Sequence, residues 1–350
     1  MANNTQSRTL IVSGAYPPDI CGVGDYTARL MEAVQPSWQA FVERDWSLRA
    51  LPGILRRLFA LKPAAIVVQY PTQGYGWSLV PHILIVIGWI TRRYRSVLAL
   101  HEFTSLSRKA QIALALASHF SARIIFTTEV ERDRARAFKA FSSKVPTSVI
   151  GILSNIPCAE NQPDFAERSI DVAYFGHIRP NKGLEDFLEV ATAMRIAVPQ
   201  VRIAIIGEIP KGYDAFGGMV MDCCAKIGVT LILGLNDEAV ARQLADTKIL
   251  YLPFKDGVSA RRGSVLAGLD NGAIVATRIG DATPASLRPA VVACDGTAED
   301  VAVLCDALAM LPGQAAILQR AGRLYTTQTL PQDWAHVAAL YHDAVGQALL

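Results

Sequence analysis

The chain has 350 residues, 51% of them hydrophobic and 19% charged, with a formal net charge of +3. That length suits two domains, each large enough for its own core, and the composition excludes a disordered chain. The charge is too weak, and arginine-rich tracts, zinc spacings and aromatic RNP-like runs too absent, for nucleic acid to be the expected partner.

The N-terminus, Met1 to Arg8, is polar and leads straight into a strand, so no signal peptide is expected. Short apolar runs predict strands over 9–13, 64–69, 97–100, 123–127 and 147–152 in the first half. Helical spacing predicts helices near 24–34, 48–61, 78–90, 107–119 and 130–141 between them. A polar break over 155–168 reads as the linker. The second half repeats the alternation, with strands over 171–175, 202–206, 230–233, 249–252, 273–276 and 290–293. Its helices are expected over 183–196, 217–227, 237–246, 263–269 and 298–311, and the tail 331–350 reads as one more amphipathic helix. Such alternation implies parallel sheets covered on both faces. The expected class is therefore α/β, with two Rossmann-like, doubly wound domains (1–158 and 168–330) facing each other across an interdomain cleft. Helix 331–350 would cross back to the first domain.

The six cysteines are scattered and none forms C-x-x-C, which suits reduced thiols in a cytoplasmic protein. The most apolar stretch, 79–90, is too short to span a bilayer. With Arg56, Arg57, Arg92, Arg93 and Arg95 nearby, it would suit contact with the cytoplasmic face of a membrane. A core helix with a solvated basic rim is the equal alternative.

Residues 173–183 read Ala-Tyr-Phe-Gly-His-Ile-Arg-Pro-Asn-Lys-Gly. The strand is expected to break at Gly176, and a helix to start near Lys182. A helix N-terminus following a glycine turn suits an anion, and Arg179 and Lys182 would add two cations. The alternative is a pair of solvated bases at an ordinary helix start.

After the first strand, Gly22 and Gly24 precede a helix. They lie too far beyond the strand end, with Thr27 at the third glycine position, for a dinucleotide loop. His101 follows the strand 97–100, where a side chain would project into a cleft; a structural histidine is the competing reading.

The segment 252–272 is richer still. Asp256, Gly257, Ser259, Arg261, Arg262, Gly263 and Ser264 make a polar, basic, glycine-containing loop before a short helix. It is a second anion site in the same half of the chain, and two such sites at neighbouring strand ends suit a diphosphate.

Together these segments resemble the GT-B glycosyltransferases of the large retaining family 4, over nearly the whole chain. The first loop resembles that family's Pro-Pro…Gly-Gly-x-Gly region, with Cys21 in place of the first glycine. Phe175-Gly-x-x-x-Pro-x-Lys-Gly is similar to its diphosphate motif, and 231–235 to a strand end whose counterpart lines the base pocket, which brings in Leu233. One departure is clear. Counting back from Gly272, the family's two glutamates fall on Ser259 and Ala267. Asp256 would stand in for the first, and Asp270 or a backbone group would hold the ribose.

The resemblance implies transfer of a sugar from a nucleotide-sugar donor to a hydroxyl of a saccharide or lipid-linked acceptor, in polysaccharide or glycoconjugate biosynthesis, with retention and no bound metal or other cofactor. His101, Arg179 and Lys182 would be catalytic. Gly22, Gly24, Gly176, Leu233 and the loop residues would border the donor. The alternatives are a non-catalytic nucleotide-sugar-binding partner and a GT-B nucleotide-sugar epimerase using Glu102, Glu129 and Glu131.

Overall fold

The computed structural model describes residues 8–19 and 21–350; the polar segment 1–7 and Ile20 of the first loop lie outside them. Strand and helix alternate from the start: β1 (Thr9–Ser13), α1 (Gly22–Val34), β2 (Trp38–Val42), α2 (Leu51–Ala60), β3 (Ala65–Tyr70), α3 (Val80–Thr91), β4 (Arg95–Leu100), α4 (Arg108–Ser118), β5 (Arg123–Phe126), α5 (Glu129–Ala137) and β6 (Thr147–Val149). The strands form one parallel sheet in the order β2-β1-β3-β4-β5-β6. Strands β1 and β3 are buried along their whole length and β4 from Ser96 onward, mostly with apolar residues, as a sheet covered on both faces requires.

The second run is β7 (Ile170–His177), α6 (Leu184–Ala197), β8 (Ile203–Glu208), α7 (Asp214–Ile227), β9 (Thr230–Leu233), α8 (Asp237–Ala245), β10 (Thr247–Leu252), α9 (Gly263–Asp270), β11 (Ile274–Arg278), β12 (Val291–Cys294), α10 (Asp300–Leu308) and α11 (Pro312–Thr329). Its strands are again all parallel, in the order β12-β11-β10-β7-β8-β9. Numbered within the unit this is 3-2-1-4-5-6 read from the other edge, the doubly wound order of nucleotide-binding domains. The order in which strands are added reverses between β7 and β10.

The last helix, α12 (Trp334–Leu349), belongs with the first sheet: Met1–Gly151 and Pro331–Leu350 form one unit and Ile152–Leu330 the other. Val337, Ala338, Tyr341 and Val345 are its buried face. The Tyr341 hydroxyl meets that of Tyr26 on α1 at 3.4 Å, and Trp38 of β2 packs edge-on against His342. The sequence reading carried the first domain to residue 158. In the structure the segment after Gly151 already serves the second unit: the Ala159 amide donates to Asn271 Oδ1 at 2.8 Å and Gln162 to the Asp270 carbonyl at 2.9 Å.

Helix starts follow ordinary capping chemistry. Ser107, Thr128, Asn236 and Asp333 each accept a backbone N–H from the first turn of α4, α5, α8 and α12. Two elements escaped the sequence reading. β2 is an edge strand with only Trp38 and Phe41 buried, so its apolar signal is thin. α11 buries only Ala315, Gly322, Tyr325 and Thr326 in eighteen residues, so its periodicity is weak.

At the start of β7, Asp171 is pinned by Arg202 (3.0 Å) and Lys248 (2.9 Å). Burial opposes its charge, but the hydrogen bonds from Arg202 and Lys248 outweigh that and hold its pKa at about 2. A depressed carboxylate stabilises the fold above its unfolded pKa, so this contribution should vanish as pH falls from about 4 through about 2. Asp171→Asn should cost about 2 kcal/mol at neutral pH in a denaturant titration, and flatten that acid limb.

Candidate functional site

In the second unit the loops after β7 and β10 leave neighbouring strands on either side of the point where strand order reverses. Ligands of doubly wound sheets bind outside the carboxyl ends of the strands at such a point. The two loops touch through backbone. Gly183, the N-cap of α6, has φ +80°, and a Cβ there would lie 2.3 Å from the Pro253 carbonyl oxygen. Only glycine allows both the left-handed backbone and that approach.

Gly176 does not break the strand as expected. β7 continues through Gly176 and His177, which pair with Gly207 and Glu208 of β8. The glycines face each other for a reason: a Cβ on Gly207 would lie 2.0 Å from the Gly176 carbonyl oxygen. The turn comes later, over 178–183, with positive φ at Asn181 and Gly183. Phe187 is the first amide of α6 to bond back, to the Gly183 carbonyl at 2.9 Å, so the amides of 184–186 have no acceptor within the helix. Glu185 and Asp186 occupy that first turn and favour the helix dipole.

Arg179 and Lys182, both half-buried, lie in the turn. Tyr174, buried beneath it, donates its hydroxyl to the Lys182 carbonyl at 3.4 Å. Burial pushes the Tyr174 pKa up; Arg179 and Arg262 act on it in the opposite sense, and Glu185 reinforces the rise. One guanidinium from each predicted anion loop thus acts electrostatically on the same phenol. His177 lies half-buried at the strand end with Nε2 at 3.3 Å from Glu208 Oε1. Its pKa is lowered by burial first; Glu208 opposes that, while Arg179 and Lys182 add to it. The His177–Glu208 pair was not singled out from the sequence, although both residues directly follow apolar runs at strand ends.

The loop from β10 is equally determined. Gly257 has φ +78° and packs against Gly280, and the Val258 amide donates to the Arg278 carbonyl at 2.8 Å. Ser259 is buried. Arg262 stacks over Phe254, 4.3 Å from the ring centroid, and grips Asp256 at 2.6 Å. Asp256 is thus engaged by Arg262. Arg261 is half-buried beside it. At the start of α9 the Val265 and Leu266 amides bond back to Arg262, leaving those of Gly263 and Ser264 without an acceptor in the helix. Leu233 ends β9, in register with Gly207. It lies two strands from β7, about 10 Å away.

Ala267 is fully buried in the core under α9. Asp270 is at the opposite end of that helix, about 10 Å from Gly263 along the axis. Its backbone carbonyl takes Gln162, and its carboxyl, whose pKa burial raises, bonds to Thr326. The suggested ribose-holding group therefore lies at the end of α9 away from the 253–264 loop, toward the amino end of β11.

In the first unit, loops after β1 and β3 meet at the equivalent reversal. A Cβ on Gly74 would lie 1.6 Å from the Gly14 carbonyl oxygen, and Thr72 accepts the Gly14 amide at 3.1 Å. α1 begins at Gly22, which is exposed; Gly24 packs near the Ala15 carbonyl. His101 follows β4 but is only 4% exposed. Its Nε2 meets Gln69 Oε1 at 2.6 Å, and Tyr26 packs edge-on against its ring at 5.0 Å. Glu131, also buried, accepts the Phe103 and Thr104 amides at 2.7 and 3.0 Å and so holds the loop after β4. Glu129 is exposed beside Arg132. Among the described residues no cluster of three His, Cys, Asp or Glu side chains is placed to hold a metal ion. No single helix among them is long and apolar enough to cross a membrane.

The whole arrangement matches solved structures end to end. Anabaena HepE, solved in complex with UDP and glucose, superposes with a TM-score of 0.71 at 12% identity, covering 97% of this chain and 99% of that one. The fold is GT-B. Sucrose-phosphate synthase of Thermosynechococcus elongatus shares the GT-B architecture at TM-score 0.68 and 16% identity, over 97% and 98% of the two chains. A glycosyltransferase of Rickettsia africae does so at 0.69 and 10% identity, over 99% of each. No protein-family model matches the chain, and no curated protein matches it.

Gly183→Ala and Gly207→Ala should each destabilise the second unit by about 2 kcal/mol or more, because backbone rather than a movable side chain blocks the new methyl. Gly22→Ala meets nothing within 4 Å and should change stability by less than about 1 kcal/mol. Thermal melts of the three variants check this contrast.

Proposed function

We propose that the protein is a glycosyltransferase of the retaining family 4 type, which moves a sugar from a nucleoside-diphosphate sugar to a hydroxyl of a saccharide or lipid-linked acceptor. The observation that carries the reading is the meeting of the 178–183 and 253–264 loops at the β7/β10 reversal, where Arg179, Lys182 and Arg262 converge with two helix N-termini. Such a site suits the two phosphates of the donor. As the sugar leaves, charge develops on the diphosphate oxygens. Fixed cations and helix amides stabilise that charge without reorganising. Nothing in this step calls for a bound metal.

The base lies toward Leu233 and the 207–208 strand end in this reading. Ser259 and the Gly263 and Ser264 amides take the inner phosphate or the sugar, and Asp256 serves by orienting Arg262. Gly22 and Gly24, at the start of α1, border the acceptor. His101 acts through its bond to Gln69 and its contact with Tyr26, holding the strand end against which the acceptor would lie. Acceptance of a polymer or lipid-linked saccharide places the enzyme in polysaccharide or glycoconjugate synthesis.

One observation favours a second reading, a non-catalytic nucleotide-sugar-binding partner: Ala267 is buried and brings no carboxylate to the ribose.

A thermal-shift series with UDP, ADP, GDP, TDP and their sugars separates the two. UDP comes first because HepE was solved with it. One nucleotide family should raise the Tm, since a ligand stabilises the state it binds. Lys182→Ala and Arg179→Ala should weaken that binding roughly 10- to 100-fold with little effect on the unliganded melt. Unchanged binding in both variants would refute the diphosphate site. Binding without turnover of the matching nucleotide sugar, in the presence of acceptors, would favour the partner role.

A further inference from the structure

We propose that the outer face of α3 and α4 seats the protein on an anionic membrane surface, a reading independent of the nucleotide site. A helix that is apolar all round is ordinarily buried all round. α3 is not. Val80, Leu84, Ile85 and Gly88 are buried, but its other side carries no charge to compensate for exposure. Leu79, Ile83, Val86 and Ile90 follow one another at helical spacing along that outer side, which runs about 16 Å. Leu79 and Ile90 are 49% and 63% exposed.

The neighbouring helix extends the same surface. On α4, Ile112 and Leu116 are exposed one turn apart, and Phe120 just beyond it meets Trp89 of α3 at 5.1 Å between rings. Trp77, immediately before α3, is 87% exposed. Two exposed tryptophans beside an aliphatic stripe are what a water–lipid boundary accommodates, because the indole has an apolar body and a polar N–H.

Charge commits the occupant. Arg92, Arg93 and Arg95 directly follow α3, Lys109 lies in the first turn of α4, and all four are exposed. Between Asp45 and Glu129 the chain holds ten lysines and arginines and one acid, Glu102. The whole chain has 34 basic and 31 acidic residues, so the remainder is net acidic and the molecule is charged asymmetrically. A protein partner normally meets a mixed rim of donors and acceptors. Here the rim is cationic and the centre aliphatic, which fits acidic lipid headgroups above an acyl interior.

The test is sedimentation of the full-length chain with vesicles of phosphatidylcholine alone, and of phosphatidylcholine with phosphatidylglycerol. Ile90→Asp/Leu116→Asp removes the apolar contact, and Arg92→Glu/Lys109→Glu reverses part of the rim at two exposed positions. Wild type should bind the anionic vesicles at least about tenfold more tightly than the neutral ones, and the preference should fall as salt rises. Each double variant should lose at least about tenfold in affinity with its melt and nucleotide-induced shift intact. Equal binding to both vesicles, or anionic binding that survives both variants, overturns the proposal. So does failure to bind vesicles with self-association that Ile90→Asp/Leu116→Asp abolishes, which would give the face to a second copy of the chain.

Discussion

The second unit depends on one backbone contact, the approach of the α6 N-terminus to the exit of β10. Gly183 makes it possible, and a single methyl would fill the space. Because β7 and β10 are hydrogen-bonded neighbours whose connections run to opposite sides, their loops have nowhere to go but outward together. Each loop then starts a helix whose first amides lack helix acceptors. Topology thus supplies the converging dipoles, and the side chains of Arg179, Lys182 and Arg262 add charge to a geometry already set by the chain path.

The electrostatics around this contact follow the same logic. Tyr174 is buried under the turn and ties its hydroxyl to the Lys182 carbonyl. His177 is discouraged from ionising by burial and by two cations, with Glu208 opposing them. Arg262 is held on two sides, by the face of Phe254 and by Asp256. A guanidinium fixed in this way loses little freedom on meeting an anion, which is the property a preorganised phosphate site needs.

Much of this was legible in the sequence. The alternation of apolar runs and helical periods gave both sheets, because buried parallel strands are near-continuous in Val, Ile and Leu. The two basic, glycine-bearing segments were readable as loops between a strand and a helix start from local composition alone. What escaped was set by tertiary contact. Gly176 looked like a turn because glycine usually ends a strand, yet here it lets Gly207 of the next strand pass close. Asp270 looked near the loop in sequence, but a helix of eight residues carries it away toward the amino end of β11. Asp256 looked available until the fold handed it to Arg262. His101 was read correctly as ending a strand, but not as buried against Gln69 and Tyr26, because those partners come from β3 and α1. The bare apolar side of α3 also needed the fold, since periodicity cannot tell an exposed stripe from a buried one when both are aliphatic.

The central claim is that two loops distant in sequence form one diphosphate site. Hydrogen exchange measures it most directly, with and without the nucleoside diphosphate that stabilises the protein most. The account predicts that amides of 178–187 and 254–266 gain protection together, and that Arg179→Ala reduces the gain in both. Protection confined to one loop, or located elsewhere, would contradict it.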